Sequence, residues 1–217
     1  MIYVMSDIHG CFEKFILMLE KIKFSNHDKL YILGDILDKG DRPLEIYEYI
    51  KDKENIYLLK GNHEVFCEYA LKHNEFNLWS KVGGATTLNQ LNRKDKTYKD
   101  NLIKYIEELP LYKVVDNFLL VHAGVFTEKD IDTLENVLNN TSEDIFLWDK
   151  SLVDVRQEIK GYTIICGHTS TPDIDSSLNV GKIINHNNKI YIDCKVYNNE
   201  IGRLGCLRLN DMAEFYI

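Results

Sequence analysis

The chain has 217 residues, a length that suits one domain with a sizeable core and is short for two. Hydrophobic residues make up 45% of it and charged residues 28%, the ordinary balance of a soluble globular protein. The formal net charge of −8 gives a surface that repels polyanions, so we expect no nucleic-acid partner, although a phosphate substrate can still bind where metal ions reverse the local field.

The cysteines and the apolar segments bear on the compartment. The five cysteines are widely spaced and include no C-x-x-C pair, which argues against a disulfide framework and is typical of a reducing compartment. No apolar run approaches the length of a membrane span, and the first ten residues, MIYVMSDIHG, lack a basic leader. These features predict a cytoplasmic protein that does not bind membranes.

Short apolar runs rich in β-branched and aromatic residues predict buried strands. They lie at residues 2–5, 30–33, 56–59, 118–121, 162–166, 189–193 and 205–209. Amphipathic patterns predict helices over residues 11–22, 42–51 and 97–110. Strand–helix alternation in the first half predicts a parallel sheet covered by helices, and the strand-rich end predicts a second, antiparallel sheet.

Residues 64–116 contain no predicted strand and are expected to form an inserted helical cap. Within it, Glu64 is expected to start a helix or to support a ligand rather than to bind metal. Tyr69 and Trp79 are expected to pack in the core, with a substrate cleft as the alternative.

Polar residues of ligand type follow five of the predicted strands, each beside a glycine. They lie in the segments 6–10 (SDIHG), 34–40 (GDILDKG), 60–64 (KGNHE), 122–124 (HAG) and 167–169 (GHT). Taken singly, an aspartate here could cap a helix or form a turn, and a histidine could be a hydrogen-bonded core residue. Such residues have no independent reason to gather at the same end of successive strands, where open α/β sheets bind ligands, so the joint pattern predicts one site.

The residue types in these segments are those of a site for two divalent cations. The candidate ligands are Asp7, His9 and Asp35 for one ion, and Asn62, His122 and His168 for the other, with Asp35 shared. Carboxylate and imidazole ligands suit Mn, Fe or Zn better than Ca or Mg. Two such ions can clamp a phosphate and supply a hydroxide for in-line attack on phosphorus.

The leaving group of that reaction needs a proton. His63 lies beside the candidate ligand Asn62 and is expected to face the substrate as the general acid. Asp38 is expected to hold His63 in its protonated form, because a nearby carboxylate stabilises an imidazolium.

These motifs resemble the phosphoprotein phosphatase branch of the calcineurin-like metallophosphoesterases. The family pattern is D-x-H, G-D-x-x-D-R-G, G-N-H-E, H-A/G-G and a late G-H, which appears here as SDIHG, GDILDKG, KGNHE, VHAG and CGHT. The resemblance extends from Asp7 to His168 and fits bacterial serine/threonine phosphatase-like proteins, close to the symmetrical diadenosine tetraphosphatases. It implies an α/β fold of four layers (α/β/β/α), in which two mixed β-sheets flanked by helices form one domain over residues 1–217.

The resemblance assigns the same six ligands and the same acid dyad, and it also implies arginines that grip the phosphate. At those positions this chain has Lys39, Lys60 and Lys150, while Arg42 is a candidate replacement and Asn62 is expected to face the phosphate. Two interpretations stay open. The lysines reflect the lysine-rich composition of the chain, or they alter substrate choice, since lysine offers a point charge where arginine makes a bidentate contact.

We expect a metal-dependent phosphatase with two divalent ions, Mn²⁺ being the first candidate and Fe or Zn the alternatives. The first hypothesis is hydrolysis of phosphomonoesters, above all phosphoserine or phosphothreonine in proteins, by a dimetal-bound hydroxide with a histidine acid. The second is hydrolysis of nucleotide polyphosphates by a symmetrical bis(5'-nucleosyl)-tetraphosphatase, which shares these ligands. The third is a non-catalytic phosphate-binding scaffold, supported only by the missing arginines. The sequence does not indicate an oligomeric state.

Overall fold

A computed structural model describes residues 1–129 and 131–217, in which twelve strands and nine α-helices are formed. The strands are β1 (Ile2–Met5), β2 (Lys29–Ile32), β3 (Ile56–Leu58), β4 (Tyr112–Val115), β5 (Phe118–Val121), β6 (Ile131–Asp132), β7 (Glu158–Ile159), β8 (Thr163–Cys166), β9 (Ile184–His186), β10 (Lys189–Tyr191), β11 (Gly205–Arg208) and β12 (Ala213–Tyr216). The helices are α1 (Phe12–Lys21), α2 (Pro43–Ile50), α3 (Asn62–His73), α4 (Asn77–Trp79), α5 (Ala85–Leu91), α6 (Lys96–Glu107), α7 (Leu134–Asn140), α8 (Glu143–Trp148) and α9 (Thr171–Ile174). A π-helical turn, Ser80–Gly84, joins α4 to α5.

Two five-stranded sheets form the centre of the fold. The first has the order β12-β11-β1-β2-β3, with β1, β2 and β3 parallel, β11 antiparallel to β1, and β12 antiparallel to β11. The second has the order β4-β5-β8-β10-β9, with β5, β8 and β10 parallel between two antiparallel edge strands. Both sheets are therefore mixed, and β6 and β7 form a separate parallel pair.

The core is arranged in layers between and outside these sheets. One cluster of buried apolar residues joins the facing sides of the two sheets, among them Val4, Leu33, Leu120 and Ile165. A second cluster covers the outer face of the first sheet with α1, α2 and the cap helices, and a third covers the outer face of the second sheet with α7 and α8. Four layers result, α/β/β/α, as the resemblance implies.

The continuous apolar runs were reliable predictors of strands because both faces of each sheet are covered. In β5, Leu120 packs between the sheets while its neighbours Leu119 and Val121 pack against the helices outside. Alternate residues of a strand point to opposite faces, so a strand buried on both sides must be apolar throughout.

Three expectations from the sequence are wrong. The second sheet is mixed rather than antiparallel, because β5 and β8 from the middle of the chain form its parallel centre. Residues 64–116 do contain a strand, β4, and their helical part ends with α6. The strand predicted at residues 205–209, β11, joins the first sheet and not the second, and it brings β12, which was not predicted, with it.

None of the helices in the described ranges combines the length and the apolar composition that crossing a bilayer requires.

Candidate active site

Five loops that carry the predicted ligands meet at one edge of the sandwich. They follow the carboxyl ends of β1, β2 and β3 in the first sheet and of β5 and β8 in the second. Two hydrogen bonds tie the sheets together there. The Nδ1–H of His122 donates to the carbonyl of Leu33 (2.7 Å), and the backbone N–H of His168 donates to Asp7 Oδ2 (3.0 Å).

Unusual backbone geometry marks this edge. Non-glycine residues rarely adopt a positive φ, and such strain gathers at functional sites. Positive φ values between 46° and 70° are found here at Asp7, His9, Asp35, Asp38, Lys39 and His168. Gly34 (φ 94°) faces Gly61 so closely that a Cβ on Gly34 would lie 2.6 Å from the Cα of Gly61, so the ends of β2 and β3 can approach only with glycine there.

The first group of candidate ligands surrounds the imidazole of His9. His9 Nε2 lies 3.6 Å from Asp35 Oδ2 and 3.9 Å from Asp7 Oδ1. Its Nδ1 is 2.9 Å from the carbonyl of Leu37 and must carry the proton, since a carbonyl only accepts. Nε2 therefore presents a lone pair to the site.

The second group lies on the other side of Asp35. His122 Nε2 is 3.5 Å from Asp35 Oδ1 and 2.9 Å from Asn62 Oδ1, and His168 Nδ1 is 3.0 Å from the same amide oxygen. The two oxygens of Asp35 thus point to different groups. A carboxylate in this position can bridge two cations.

Several features fit this donor set to divalent cations. His122 donates through Nδ1, so its bare Nε2 faces another acceptor, Asn62 Oδ1, and a cation between two acceptors removes that conflict. Within the described ranges His168 Nε2 is buried without a hydrogen-bond partner. Donor atoms of two sets, His9–Asp35–His63 and Asp35–His122–His168, lie within 4.8 Å of one another. Mixed imidazole and carboxylate donors are those that Mn, Fe and Zn prefer.

The electrostatics of the two groups also suit cations. Burial lowers the pKa of His122 and of His168 to about 3, so both imidazoles are neutral at physiological pH. Burial raises the pKa of Asp35 well above its ordinary 3.8, and the charges of Asp7 and Glu64 add to the shift. Buried carboxylates without enough positive charge near them are stabilised when a cation binds.

Lys39 occupies a position that the sequence could not indicate. Its ammonium lies 2.7 Å from His9 Nε2 and 4.4 Å from the ring centre of Tyr197. A lone pair cannot serve an ammonium and a metal ion together, so an ion at His9 must displace Lys39. The displaced ammonium would remain beside the site.

The predicted acid dyad is formed within hydrogen-bond distance. His63 Nδ1 lies 2.7 Å from Asp38 Oδ2, and His63 Nε2 points into the site, 4.0 Å from Asp35 Oδ2. Asp38 is completely buried. The cap holds it from two sides, because Trp79 Nε1–H donates to Oδ2 (2.7 Å) and the hydroxyl of Thr87 donates to Oδ1 (2.5 Å).

Thr87 and the indole of Trp79 are site residues that the sequence reasoning missed. Trp79 is almost fully buried, as expected of a core residue, but its N–H is used by the dyad. Thr87 also accepts the backbone N–H of Asp38 at 3.0 Å. No local sequence pattern links Asp38 to Trp79 or Thr87, which lie more than forty positions away. The glycines Gly83 and Gly84, between Trp79 and Thr87, do mark a close contact.

Glu64 supports the loop after β2, in line with its expected role. Its carboxylate accepts backbone N–H groups from Gly61 (3.0 Å), Asp35 (2.7 Å), Ile36 (3.0 Å) and Leu37 (3.3 Å). Burial raises its pKa to about 7, although these hydrogen bonds act in the opposite direction. This one side chain fixes the segment that carries Asp35 against the start of α3.

The four cationic residues predicted to bind substrate are not all at the site. Arg42 is held by Glu45 (2.7 Å) and Glu13 (3.4 Å) and lies over the ring of Phe12, so its guanidinium is turned away. Lys60 donates to the carbonyl of residue 107 at 3.5 Å, also outside the ligand groups. Lys39 is at the site, 2.7 Å from His9 Nε2, and the charge of the exposed Lys150 helps to lower the pKa of His122 and of His168.

A sequence profile described as calcineurin-like phosphoesterase matches residues 1–198 of the chain. The chain belongs to this family. The family-level resemblance drawn from the motifs is thereby confirmed, and members of the family are phosphoesterases that act with divalent metal ions.

Curated relatives of this calcineurin-like phosphoesterase are symmetrical bis(5'-nucleosyl)-tetraphosphatases. The protein of Buchnera aphidicola (subsp. Baizongia pistaciae) is 29% identical over 157 residues, which cover 67% of this chain and 54% of that protein. The protein of Haemophilus ducreyi is 32% identical over 139 residues, which cover 60% of this chain and 47% of that protein. The chain thus spans about half the length of the curated relatives it matches.

Solved structures show the same fold. A provisionally named diadenosine tetraphosphatase aligns over 100% of this phosphoesterase and 92% of its own chain, with a TM-score of 0.69 and 16% identity. A serine/threonine phosphatase of Saccharomyces cerevisiae with similarity to human PP5 aligns over 94% and 71%, with a TM-score of 0.61 and 18% identity. At these identities the likeness concerns the fold alone.

Proposed function

We propose that this calcineurin-like phosphoesterase hydrolyses dinucleoside polyphosphates, in the manner of a symmetrical bis(5'-nucleosyl)-tetraphosphatase. The observation that carries the proposal is the shared activity named for its curated relatives, at 29% and 32% identity. The geometry supports it, since the two ligand groups and the dyad provide what hydrolysis of a phosphoanhydride bond requires.

The findings support this second hypothesis better than the first, which placed phosphoserine or phosphothreonine proteins as substrates. The likeness to a protein phosphatase is at 18% identity and concerns the fold. Metal-dependent hydrolysis of a phosphate ester or anhydride is common to both hypotheses. The intact His63–Asp38 pair opposes the third, because a scaffold that only binds phosphate has no need of a proton donor.

We propose that two divalent ions, with Mn²⁺ the first candidate, are bound by the ligands predicted from the sequence. Asp7, His9 and Asp35 would hold one ion, and Asp35, Asn62, His122 and His168 the other. Bound divalent ions neutralise phosphoryl charge and provide a nucleophile from water at neutral pH. The chain's own contribution is to hold these imidazole nitrogens, carboxylate oxygens and the amide oxygen of Asn62 around that space.

In the proposed reaction His63 gives a proton to the leaving phosphate oxygen through Nε2. Asp38 accepts the hydrogen bond from Nδ1 and so fixes which nitrogen faces the substrate. The donors Trp79 and Thr87 in turn fix Asp38. The ammonium of Lys39 is placed to contact a phosphate oxygen once it leaves His9.

A comparison of three substrates tests the proposed function. The protein would be assayed with Mn²⁺ on diadenosine tetraphosphate, a phosphothreonine peptide and p-nitrophenyl phosphate, with products separated by chromatography. We expect ADP as the nucleotide product and a kcat/KM for diadenosine tetraphosphate about tenfold or more above that for the peptide. A preference for the peptide, or ATP and AMP as products, would refute the proposal.

The support of Asp38 from the cap gives a first mutational prediction. Thr87→Val keeps the shape of the side chain but removes the donor to Asp38 Oδ1, so we expect kcat to fall about tenfold or more with metal content unchanged. Thr86→Val on the same helix is the control, because that hydroxyl only approaches a backbone carbonyl at 3.5 Å. Equal kcat values for the two variants would show that the hydroxyl of Thr87 does not support the dyad.

A second prediction concerns pH and metal binding. In the metal-free protein the pKa of Asp35 is raised, so part of the population is protonated at a pH where an exposed aspartate is ionised. A metal ion needs the carboxylate, so binding should release protons, and the affinity should fall as pH falls through that raised pKa. His122 and His168, with pKa values of about 3, add no protons above pH 5.

Calorimetric titration with Mn²⁺ between pH 5 and pH 8 checks this prediction. Buffers with different enthalpies of ionisation reveal the number of protons released. Affinity that is constant or that rises as pH falls would contradict it.

A further inference from the structure

A cleft of about 570 Å³ opens in the cap beside the catalytic dyad. Its lining comes from α3 at Phe66 and Tyr69, from the loop that follows α3, and from α4 at Leu78 and Trp79. Small-molecule sites typically have volumes of about 300–1,000 Å³, so this cleft has room for one organic group.

Two walls of the cleft touch the dyad. The ring of Phe66 lies one helical turn beyond His63, with 5.9 Å between the ring centres, and Trp148 packs on it edge-on at 4.9 Å. Trp79 forms another wall and donates its N–H to Asp38. Because His63 is placed to protonate the leaving group, the leaving group must depart along this side of the site.

The spacing along α3 continues the path from the acid into the cleft. His63, Phe66 and Tyr69 follow one another at intervals of three residues, so each is a neighbour of the next on the helix surface, and the path runs from buried His63 to exposed Tyr69. From His63 to Asn74 the chain rises about 16 Å at 1.5 Å per residue. The base of a departing nucleoside diphosphate is separated from the broken bond by two phosphates and a ribose, so it would be carried away from the metal ligands into this region.

The chemistry of the lining selects a neutral, flat group. Tyr69 is 52% exposed and Leu78 63% exposed, so large apolar side chains are open to solvent where a ligand can cover them. Within the described ranges the lining contains no lysine or arginine, and Glu75 is its one acidic residue. A polyphosphate would be repelled here, whereas the faces of nucleobases stack on aromatic rings.

We propose that this cleft binds the purine base of the leaving nucleotide, an inference that rests on the proposed function and deepens it. Tyr69 and Phe66 would stack on the base, and Leu78 would close over it. The side-chain amides of Asn74 and Asn77 at the rim can pair with the edge of adenine, which an asparagine contacts through two hydrogen bonds.

Kinetics of cleft variants test the proposal. Tyr69→Ala and Leu78→Ala change exposed side chains, so folding is not at risk. The matched controls are Tyr57→Ala and Leu17→Ala, which change side chains that are 39% and 49% exposed on other elements. We expect Tyr69→Ala to raise KM for diadenosine tetraphosphate about tenfold, and to raise KM for p-nitrophenyl phosphate far less. The controls should resemble the unmodified protein.

Binding of adenosine supplies a readout that does not depend on turnover. Adenosine carries no phosphate, so its titration, followed by NMR, reports on the base site alone. We expect adenosine to bind the unmodified protein and Tyr57→Ala, and binding to be lost in Tyr69→Ala.

The outcomes separate the two proposals. Adenosine binding that depends on Tyr69, without hydrolysis of diadenosine tetraphosphate, would refute the proposed function and leave the cleft as a base site. Hydrolysis that is indifferent to Tyr69, without adenosine binding, would refute the cleft and leave the function. If Tyr69→Ala instead raises KM for a phosphopeptide and not for the dinucleotide, the cleft holds a peptide side chain and the proposal is wrong.

Discussion

Asp35→Asn is expected to remove both bound metal and activity. The two oxygens of Asp35 point to different ligand groups, at 3.6 Å from His9 Nε2 and 3.5 Å from His122 Nε2. An asparagine has nearly the same shape but no charge, and one of its two ends would present N–H donors to an ion. Loss of the several kcal/mol that bound metals contribute corresponds to about 10³-fold or more in kcat.

The measurement is metal content by mass spectrometry together with kcat on diadenosine tetraphosphate. Asp41→Asn is a matched control, since Asp41 is exposed and its backbone carbonyl, which the substitution leaves in place, accepts a hydrogen bond from Gln90. We expect the control to keep both metal and activity. An Asp35→Asn protein that still held two ions per chain would show that this carboxylate does not bridge them.

His63→Asn is expected to lower kcat by about 10²–10⁴-fold while leaving the metal content intact. Nδ1 of His63 is engaged by Asp38, and its Nε2 faces the site as a proton donor would. The rival interpretation is that His63 is a ligand, because its nitrogen lies in one of the clusters with His9 and Asp35. Loss of metal from the variant would favour that rival over the acid role.

The expected effect of His63→Asn depends on the basicity of the leaving group. An alkyl phosphate releases a strongly basic alkoxide, whereas diadenosine tetraphosphate releases a weakly basic phosphate that needs less help from an acid. We therefore expect His63→Asn to affect an alkyl phosphate more than the dinucleotide. His27→Asn in the loop before β2 is the control, because that side chain is exposed and lies outside the cap. A uniform loss across all leaving groups would argue against proton donation by His63.

The local pattern of apolar residues sufficed for the central strands and failed at the sheet edges. A strand covered on both faces must be apolar throughout, as β1 and β5 are, and such runs are visible in the sequence. The edge strand β4 reads YKVV and has two exposed residues, so its pattern resembles a loop. The pairing of β11 with β1 joins residues some two hundred positions apart, which no local period reveals.

Local sequence patterns likewise predicted one part of the site, while the other part depends on tertiary contacts. Asp7, Asp35 and Asn62 could be predicted together because each follows a buried strand, and parallel strands of one sheet end at the same edge. The support of Asp38 by Trp79 and Thr87 depends on how the cap folds back, and that is a tertiary contact. The placement of Lys39 on His9 depends equally on a backbone with φ of 61°, which a lysine rarely adopts.

Side chains from five strand ends are proposed to bind a pair of divalent cations. Anomalous diffraction from crystals grown with Mn²⁺ tests it most directly. We predict two peaks about 3.5–4 Å apart, one against His9 and one against His122, with Asp35 between them. A single peak, or ions bound elsewhere while these side chains keep to one another, would contradict the account.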